Sequence, residues 1–178
     1  MLEGKLYNAA DTQLTGERQR ARQLIKEYNN IPEDQLEERA ALLKKLIPHS
    51  GIELEIQPPF YCDYGSNIVL GENVFFNFNC VILDVTRVTI GNRCLFGPAV
   101  QIYTASHPMD HAQRATGLEF GRSVTIGDDV WVGGNVTICP GVIIGDRAVI
   151  GAGSVVTKNI PPNVFAAGNP CRVIRKLE

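Results

Sequence analysis

The sequence predicts a mainly β protein: a parallel β-helix of the hexapeptide type with a short N-terminal α-helical segment and one long projecting loop. Three observations support this: a six-residue repeat over residues 124–160, two amphipathic stretches before residue 48, and a break in the repeat at residues 108–123. We expect a helical cap region over residues 1–57 and a β-helix domain with a C-terminal tail over residues 58–178.

The repeat is the strongest of the three observations. Branched apolar residues stand six apart without a slip, at Ile126, Val132, Ile138, Ile144, Ile150 and Val156. An α-helix has a period near 3.6 and a strand a period of 2, so each unit must combine a short strand with a turn. Such a unit cannot cover its own apolar face. It has to stack on copies of itself, which makes a solenoid.

The same count begins earlier in the chain, with one slip. Its lead positions there are Leu70, Phe76, Ile82, Ile90, Phe96 and Ile102. The slip between Ile82 and Ile90 predicts a widened corner at residues 83–87. From Pro108 to Ser123 the pattern disappears, and structureless segments longer than about 12–15 residues are uncommon in compact domains and often functional. We therefore look for chemistry in this loop.

Two helices are expected before the repeat. Thr15 is predicted to cap a helix from Gly16 to about Asn29, and a second helix should begin near Pro32 and stop before Pro48. The apolar stripes that they present are Ala21, Leu24, Ile25 and Tyr28 in the first, and Leu36, Ala40, Leu43, Leu46 and Ile47 in the second. Both stripes need a surface to cover, and the open end of the solenoid or a neighbouring subunit would provide one.

Composition excludes several classes of protein. A net charge of -2 without a long basic run argues against nucleic acid and anionic membranes as partners. No apolar run approaches the roughly 18 residues that span a bilayer, and the first residues lack the apolar region of a signal peptide. Five dispersed cysteines without a CxxC pair indicate reduced thiols. We expect a cytoplasmic protein.

His107 is the candidate catalytic residue, because it occupies the last position before the loop opens. Imidazole can accept a proton at neutral pH, although a partly buried histidine at a turn fits the position equally well. His107 and His111 have a spacing that suits metal binding on a helix, but Pro108 disfavours a helix there and no third histidine is near. We therefore expect no metal. No Ser-His-Asp or Cys-His arrangement can be recognised.

Five blocks of sequence carry more information than the repeat: Asp63–Ile68, Asn77–Asn79, Ile102–Pro108, Val130–Gly134 and Ala167–Ile174. They resemble the maltose and galactoside O-acetyltransferase branch of the hexapeptide-repeat acyltransferase superfamily. The repeat alone would indicate only the superfamily, whereas the His-Pro and Asn-Pro-Cys-Arg-Val-Ile blocks narrow it to this branch. The resemblance extends over nearly the whole chain and is closest to the maltose type.

The resemblance implies a left-handed β-helix, an exception to the usual right-handed crossover, assembled as a homotrimer with active sites between adjacent subunits. It implies acetyl-CoA as donor and a small sugar as acceptor. Maltose, glucose and galactosides stay open as acceptors.

The resemblance also implies roles for particular residues. His107 would act as general base, Asn77 would orient the attacking hydroxyl, and the Gly134 N–H would stabilise the oxyanion. The residues expected to contact the acceptor are Asp11, Asp63, Asn77, Asp84, Glu119 and Trp131. Those expected on the CoA side are Gly134, Ala152, Thr157, Lys158, Arg172 and Arg175. Each kind of residue also has an ordinary role without function. The carboxylates could form a solvated acidic corner, Asn77 could be a turn amide, Trp131 could pack the loop, and the arginines could keep the surface soluble.

Three classes of function therefore compete. The first is an acetyl-CoA-dependent sugar O-acetyltransferase that works by direct attack, without a covalent enzyme intermediate. The second is a metal-dependent β-helix enzyme of the carbonic anhydrase type, which would need three convergent histidines. The third is a non-catalytic solenoid scaffold, which would not need a histidine beside a long polar loop. The sequence favours the first.

Overall fold

Two helices precede the β-helix in the computed structural model, which describes residues 1–178. The first elements are β1 (Tyr7–Asn8), α1 (Thr12–Asn30) and α2 (Leu36–Leu46). Asp11 caps α1, since its Oδ1 accepts hydrogen bonds from the N–H groups of Gln13 and Leu14 at 2.9 and 3.3 Å. The cap predicted at Thr15 is wrong, because a carboxylate earlier in the chain already satisfies the first free amides of the helix.

The apolar faces of both helices join the core of the β-helix. In α1 the predicted stripe is confirmed. In α2, which begins at Leu36 and not near Pro32, Leu36 and Ala40 are exposed. The side chains of α2 that are buried are Arg39, Leu42, Leu43 and Leu46. The predicted stripe is displaced because Arg39 takes a core position, where its guanidinium donates to the Ile56 carbonyl at 3.3 Å. No helix of the chain is long and apolar enough to cross a bilayer.

The β-helix begins at His49, earlier than the expected boundary at residues 57/58, and its first three coils each contain three short strands. They are β2 (His49–Ser50), β3 (Glu55–Ile56), β4 (Phe60–Cys62), β5 (Ile68–Leu70), β6 (Phe75–Phe76), β7 (Cys80–Leu83), β8 (Val88–Ile90), β9 (Leu95–Phe96) and β10 (Gln101–Tyr103). The loop after the third coil is not structureless. It contains β11 (Ala105–Ser106), α3 (His111–Arg114) and β12 (Leu118–Gly121).

The remaining coils follow the loop. Their strands are β13 (Val124–Ile126), β14 (Trp131–Val132), β15 (Thr137–Ile138), β16 (Ile143–Ile144), β17 (Val149–Ile150), β18 (Val155–Val156) and β19 (Val164–Ala167), with β20 (Arg172–Lys176) antiparallel to β19 at the end. Five complete coils and an incomplete sixth give a solenoid of about six turns.

Corresponding strands of successive coils pair in parallel and form three faces. Face 1 consists of β2, β5, β8, β13 and β16; face 2 of β3, β6, β9, β14, β17, β19 and β20; and face 3 of β4, β7, β10, β15 and β18. We name the corners by the faces that they join: corner 1–2, corner 2–3 and corner 3–1. All predicted lead positions are buried, so the hexapeptide β-helix is confirmed. All five cysteines are free.

Corner 1–2 shows how one coil fixes the next. Asn92, Asp128 and Asp146 stack there, and each side chain accepts a hydrogen bond from a backbone N–H one coil away, at 2.7–2.9 Å. The residue before each acceptor must be glycine, because a side chain there would collide with the neighbouring coil. A Cβ on Gly127 would lie 2.1 Å from Asp146 Oδ1 and 2.8 Å from the Asp146 nitrogen. The Gly that follows the lead residue therefore makes room for the neighbouring coil.

The widened corner predicted at residues 83–87 is part of corner 3–1, and it is buried rather than solvated. Asp84 is fully buried, and its Oδ1 accepts hydrogen bonds from the N–H groups of Asp63 and Tyr64 at 3.0 and 2.9 Å. Its Oδ2 is buried without a partner. Burial raises the pKa of Asp84 to about 6, with backbone hydrogen bonds opposing the shift. Asp84 therefore supports the corner from inside.

Gly127→Ala should destabilise the protein by about 1–3 kcal/mol, the usual cost of overpacking, because the added methyl collides with the next coil. Gly16→Ala is the matched control. Gly16 lies in α1 with open space around its would-be Cβ, so this variant should gain about 0.5–1 kcal/mol. Urea unfolding measures both values. Equal stabilities for the two variants would contradict the stacking described at corner 1–2.

Asp84→Asn should change how stability depends on pH. The folded protein holds the Asp84 proton more tightly than the unfolded chain does. This contribution therefore favours folding below about pH 4 and is lost as the pH rises through about 6. An uncharged Asn has no such loss, so from pH 4 to pH 7 the variant should gain up to about 3 kcal/mol relative to the parent. Urea unfolding at both pH values tests this, and parallel pH curves would refute it.

Candidate functional site

The segment from Ala105 to Gly121, which we call the arm, leaves the β-helix at corner 3–1. Its two strands, β11 and β12, pair antiparallel, and β12 also pairs with β1, which gives a small three-stranded sheet. The arm returns over the widened corner at Gly121, where a Cβ would lie 2.1 Å from Thr86 Cγ2 and 2.9 Å from Val85 Cγ2. Only glycine allows this approach, so the base of the arm is fixed against corner 3–1.

His107 directly follows β11 and is exposed, and its imidazole makes no hydrogen bond within the chain. Ser106 is paired with Phe120, so His107 comes one residue beyond the last pair between β11 and β12. His111, the other histidine of the arm, lies on α3 with its Nδ1 3.9 Å from an Asp110 carboxylate oxygen. An exposed and unpaired imidazole beside a carboxylate-bearing strand is free to take a proton from a bound molecule.

Two of the predicted carboxylates, Asp63 and Glu119, lie near each other at corner 3–1. Glu119 is half-buried, and its Oε2 accepts a hydrogen bond from the Tyr7 hydroxyl at 2.8 Å. The Asp63 carboxylate accepts no hydrogen bond from the chain. Burial raises the pKa of Asp63, nearby Arg18 and Arg22 lower it, and Glu119 raises it further. A groove of about 620 Å³ between α1 and β4 reaches Asp63. Both carboxylates thus retain oxygen atoms that can accept hydrogen bonds.

The other two predicted carboxylates each accept backbone hydrogen bonds through one oxygen, Oδ1. Asp84 is buried at the widened corner, and Asp11 caps α1. The sequence shows that both residues are acidic. It does not show which backbone N–H groups they bind, because those contacts form only when the chain folds.

Corner 2–3 brings together Asn77, Gly134 and Ala152. They follow paired strands of face 2, so they belong to one stacked corner with about 4.8 Å between coils. Asn77 Oδ1 accepts the N–H of Phe78 at 2.7 Å, and the Gly134 amide donates no hydrogen bond within the chain. A Cβ on Gly97 would lie 2.5 Å from the Gly134 nitrogen. Gly97 therefore leaves room for this free amide.

Trp131 lies on the outer side of face 2, with more than half of its surface exposed. Its neighbours along the stack are Leu95 and Val149. Trp131 comes shortly before Gly134 in the chain and therefore lies beside corner 2–3. Its exposed aromatic surface can contact a bound molecule or another subunit.

The site residues are divided between two corners of one chain. Asn77 and Gly134 lie at corner 2–3, whereas His107, Asp63 and Glu119 belong to corner 3–1. Face 3 separates the corners, and its four-residue strand β7 spans about 13 Å. The predicted CoA-side residues are divided too, because Ala152 lies at corner 2–3 while Thr157 and Lys158 follow β18 at corner 3–1. A single chain does not bring these groups together.

Arg172 and Arg175 lie on β20, the edge strand of face 2, and both are exposed. Their guanidinium groups make hydrogen bonds only to carbonyls of the adjacent residues, at 2.9 and 3.4 Å. They can therefore bind an anion such as phosphate.

Sequence reasoning missed Tyr7 and Arg18. Arg18 donates to the Ala9 carbonyl at 2.5 Å and to the Tyr64 hydroxyl at 2.7 Å, and it connects the N-terminal segment to corner 3–1. Neither residue belongs to a periodic pattern, and their partners are distant in sequence. No three His, Cys, Asp or Glu side chains lie close enough together to hold a metal ion.

Comparisons with known proteins agree with this architecture. The maltose acetyltransferase hexapeptide capping motif matches residues 1–51, and the bacterial transferase hexapeptide model, with six repeats, matches residues 123–158. The crystal structure of a maltose O-acetyltransferase from Clostridium difficile 630 is 50% identical, with a TM-score of 0.98 over 99% of this chain and 95% of that chain.

Two galactoside relatives give the same result. A galactoside acetyltransferase in complex with coenzyme A is 44% identical, with a TM-score of 0.96 over 99% of this chain and 88% of that one. The galactoside O-acetyltransferase of Escherichia coli K12 is 45% identical over 98% of this chain and 86% of its own length. Identity at this level over the whole fold shows that the chain belongs to the maltose and galactoside O-acetyltransferase family of hexapeptide-repeat acyltransferases.

Proposed function

We propose that the protein transfers an acetyl group from acetyl-CoA to a hydroxyl of a small sugar such as maltose, glucose or a galactoside. One observation carries the proposal: His107 presents a free, exposed imidazole at the base of the arm, on the corner that also holds Asp63 and Glu119. A sugar hydroxyl becomes a good nucleophile when a base removes its proton as it attacks the thioester. The activities of the similar proteins support the same reaction.

Attack by the sugar is direct in this proposal. Cysteine is the alternative nucleophile, but burial raises the pKa of all five thiols, to about 11 for Cys80 and Cys94. A protonated buried thiol is a poor nucleophile. The proton of the sugar hydroxyl passes to His107 as the oxygen attacks, and the carbonyl oxygen becomes an oxyanion. When the intermediate collapses, the C–S bond breaks and the CoA sulfur takes the proton from His107 and leaves as the thiol. The free Gly134 N–H is suited to stabilise that oxyanion.

Asp63 and Glu119 are proposed to bind acceptor hydroxyls, with Asn77 orienting the attacking one and Trp131 forming a wall of the cavity. Asp84 has no part in this assignment because its carboxylate is fully buried. Asp11 caps α1 through one oxygen only, so it stays a proposed acceptor contact. On the donor side, Arg172 and Arg175 would bind CoA phosphates. Ala152, Thr157 and Lys158 would line the path of the donor.

The active site is proposed to form between subunits of a homotrimer. Asn77 and His107 lie at opposite ends of face 3, and a neighbouring subunit can supply the missing corner. The outer row of face 2 supports association because it is apolar between Glu55 at one end and Arg175 at the other. Its apolar residues are Phe75, Leu95, Trp131, Val149 and Phe165. Leu95 and Trp131 are about half exposed on the single chain, at 49% and 56%, which is unusual for a solvent-facing row.

No observation favours either alternative function. A metal-dependent enzyme of the carbonic anhydrase type needs three convergent ligands, and one chain groups no three His, Cys, Asp or Glu side chains in this way. A non-catalytic solenoid scaffold would not need an ordered arm with an exposed, unbonded histidine.

His107→Ala should lower turnover by roughly 10²–10⁴-fold, the usual effect of losing one positioned base. The melting temperature should barely change, because the side chain is exposed and unbonded. His111→Ala is the matched control and should retain most of the activity. Release of free CoA thiol, measured with acetyl-CoA and a panel of sugars, gives the rates. If His107→Ala kept most of its turnover, or His111→Ala lost as much, the proposed base would be wrong.

A further inference from the structure

The first residues of the chain are tied to the arm and not only to the end of the β-helix. We call residues 4–9 the strap. Within it, Tyr7 is paired with Glu119 and Asn8 with Leu118 in an antiparallel register. The Tyr7 hydroxyl donates to Glu119 Oε2 at 2.8 Å. At the far end of the strap, Arg18 donates to the Ala9 carbonyl at 2.5 Å.

The arm needs this support because it has little of its own. An isolated two-stranded hairpin is marginally stable in water, whereas three strands on a supporting surface can be ordered. Residues 109–117, including all of α3, are exposed, so packing does not hold the tip. Gly121 secures only the return of the arm to the β-helix. The strap supplies the third strand and covers the strand that carries Glu119.

The Tyr7–Glu119 contact is directional. Burial and the neighbouring carboxylate raise the pKa of Tyr7, so its hydroxyl stays protonated and acts as a donor. It occupies Oε2 of Glu119 and leaves Oε1 without a partner in the chain. One oxygen is thus held by Tyr7, while the other can accept a hydrogen bond from a sugar hydroxyl.

We propose that Tyr7 is a positioning residue: through the strap and its hydrogen bond to Glu119, it holds the arm, and with it His107, in the working position. The inference rests on the proposed function, in which His107 is the base. A base held in one place acts with a large effective concentration, and this advantage falls when its support moves. Loss of Tyr7 should therefore lower turnover without weakening the binding of acetyl-CoA, whose proposed contacts lie elsewhere.

Tyr7→Phe tests the inference, because it removes one hydroxyl and keeps the ring. Hydrogen exchange of the arm, followed by mass spectrometry on peptides within residues 105–121, should become about two- to tenfold faster, as loss of a single hydrogen bond implies. With acetyl-CoA and a sugar acceptor, kcat should fall by a similar factor while the KM for acetyl-CoA stays constant. Glu119→Gln should keep the slow exchange, because the amide oxygen of glutamine can still accept a hydrogen bond from the Tyr7 hydroxyl.

Glu3→Gln is the matched control. It removes an exposed ion pair with Lys5, 2.8 Å long, in the same N-terminal region. The Glu3 side chain makes no hydrogen bond or ion pair with the arm, so exchange and turnover should stay at the parental level. Unchanged arm exchange in Tyr7→Phe would overturn the inference, and so would faster exchange with unchanged turnover in a protein whose His107→Ala variant is inactive. An active His107→Ala variant would instead overturn the proposed function, and the exchange measurement would still decide whether the strap holds the arm.

Discussion

Backbone hydrogen bonding between successive coils is the constraint on which the rest of this structure depends. Each coil must lie about 4.8 Å from the next so that parallel strands can pair. Residues therefore align in rows along the solenoid, and each corner repeats its chemistry from coil to coil. The glycines of corner 1–2, the acceptors above them and the free amide of Gly134 at corner 2–3 all follow from that spacing. A functional group can be placed only on a corner, on an outer row, or on an insertion.

The insertion is where this fold departs from repetition. At corner 3–1 the extra residues of the widened corner and the arm meet at Gly121. The buried carboxylate of Asp84 connects the widened corner to the preceding coil through the N–H groups of Asp63 and Tyr64. The arm then places His107 outside the regular coils. Asn77 lies at the other end of face 3. This divided geometry and the apolar part of the outer row of face 2 are the reasons we propose a site completed by a neighbouring subunit.

The sequence predicted the parts of the fold that are periodic. Lead positions such as Ile126 and Val132 are buried as expected, because a strict count of six leaves one arrangement of strand and turn. Local capping was less predictable: Asp11 begins α1 in place of Thr15, and Arg39 displaces the stripe of α2. The pairing of β1 with β12 could not be predicted from the sequence, because a contact between segments far apart in the chain leaves no periodic pattern. The left-handed sense of the coils and the residue roles come from resemblance and stay predictions.

Subunit complementation tests the central claim, a site shared between neighbouring chains, most directly. Two variants, His107→Ala and Asn77→Ala, should each be nearly inactive as homotrimers. In an equal, random mixture, about three of every four trimers contain both chains, and each mixed trimer has one competent site in three. Coexpression should therefore restore about a quarter of the parental turnover per site. If both residues acted within one chain, no mixture of the two variants would recover activity, and that result would contradict the account.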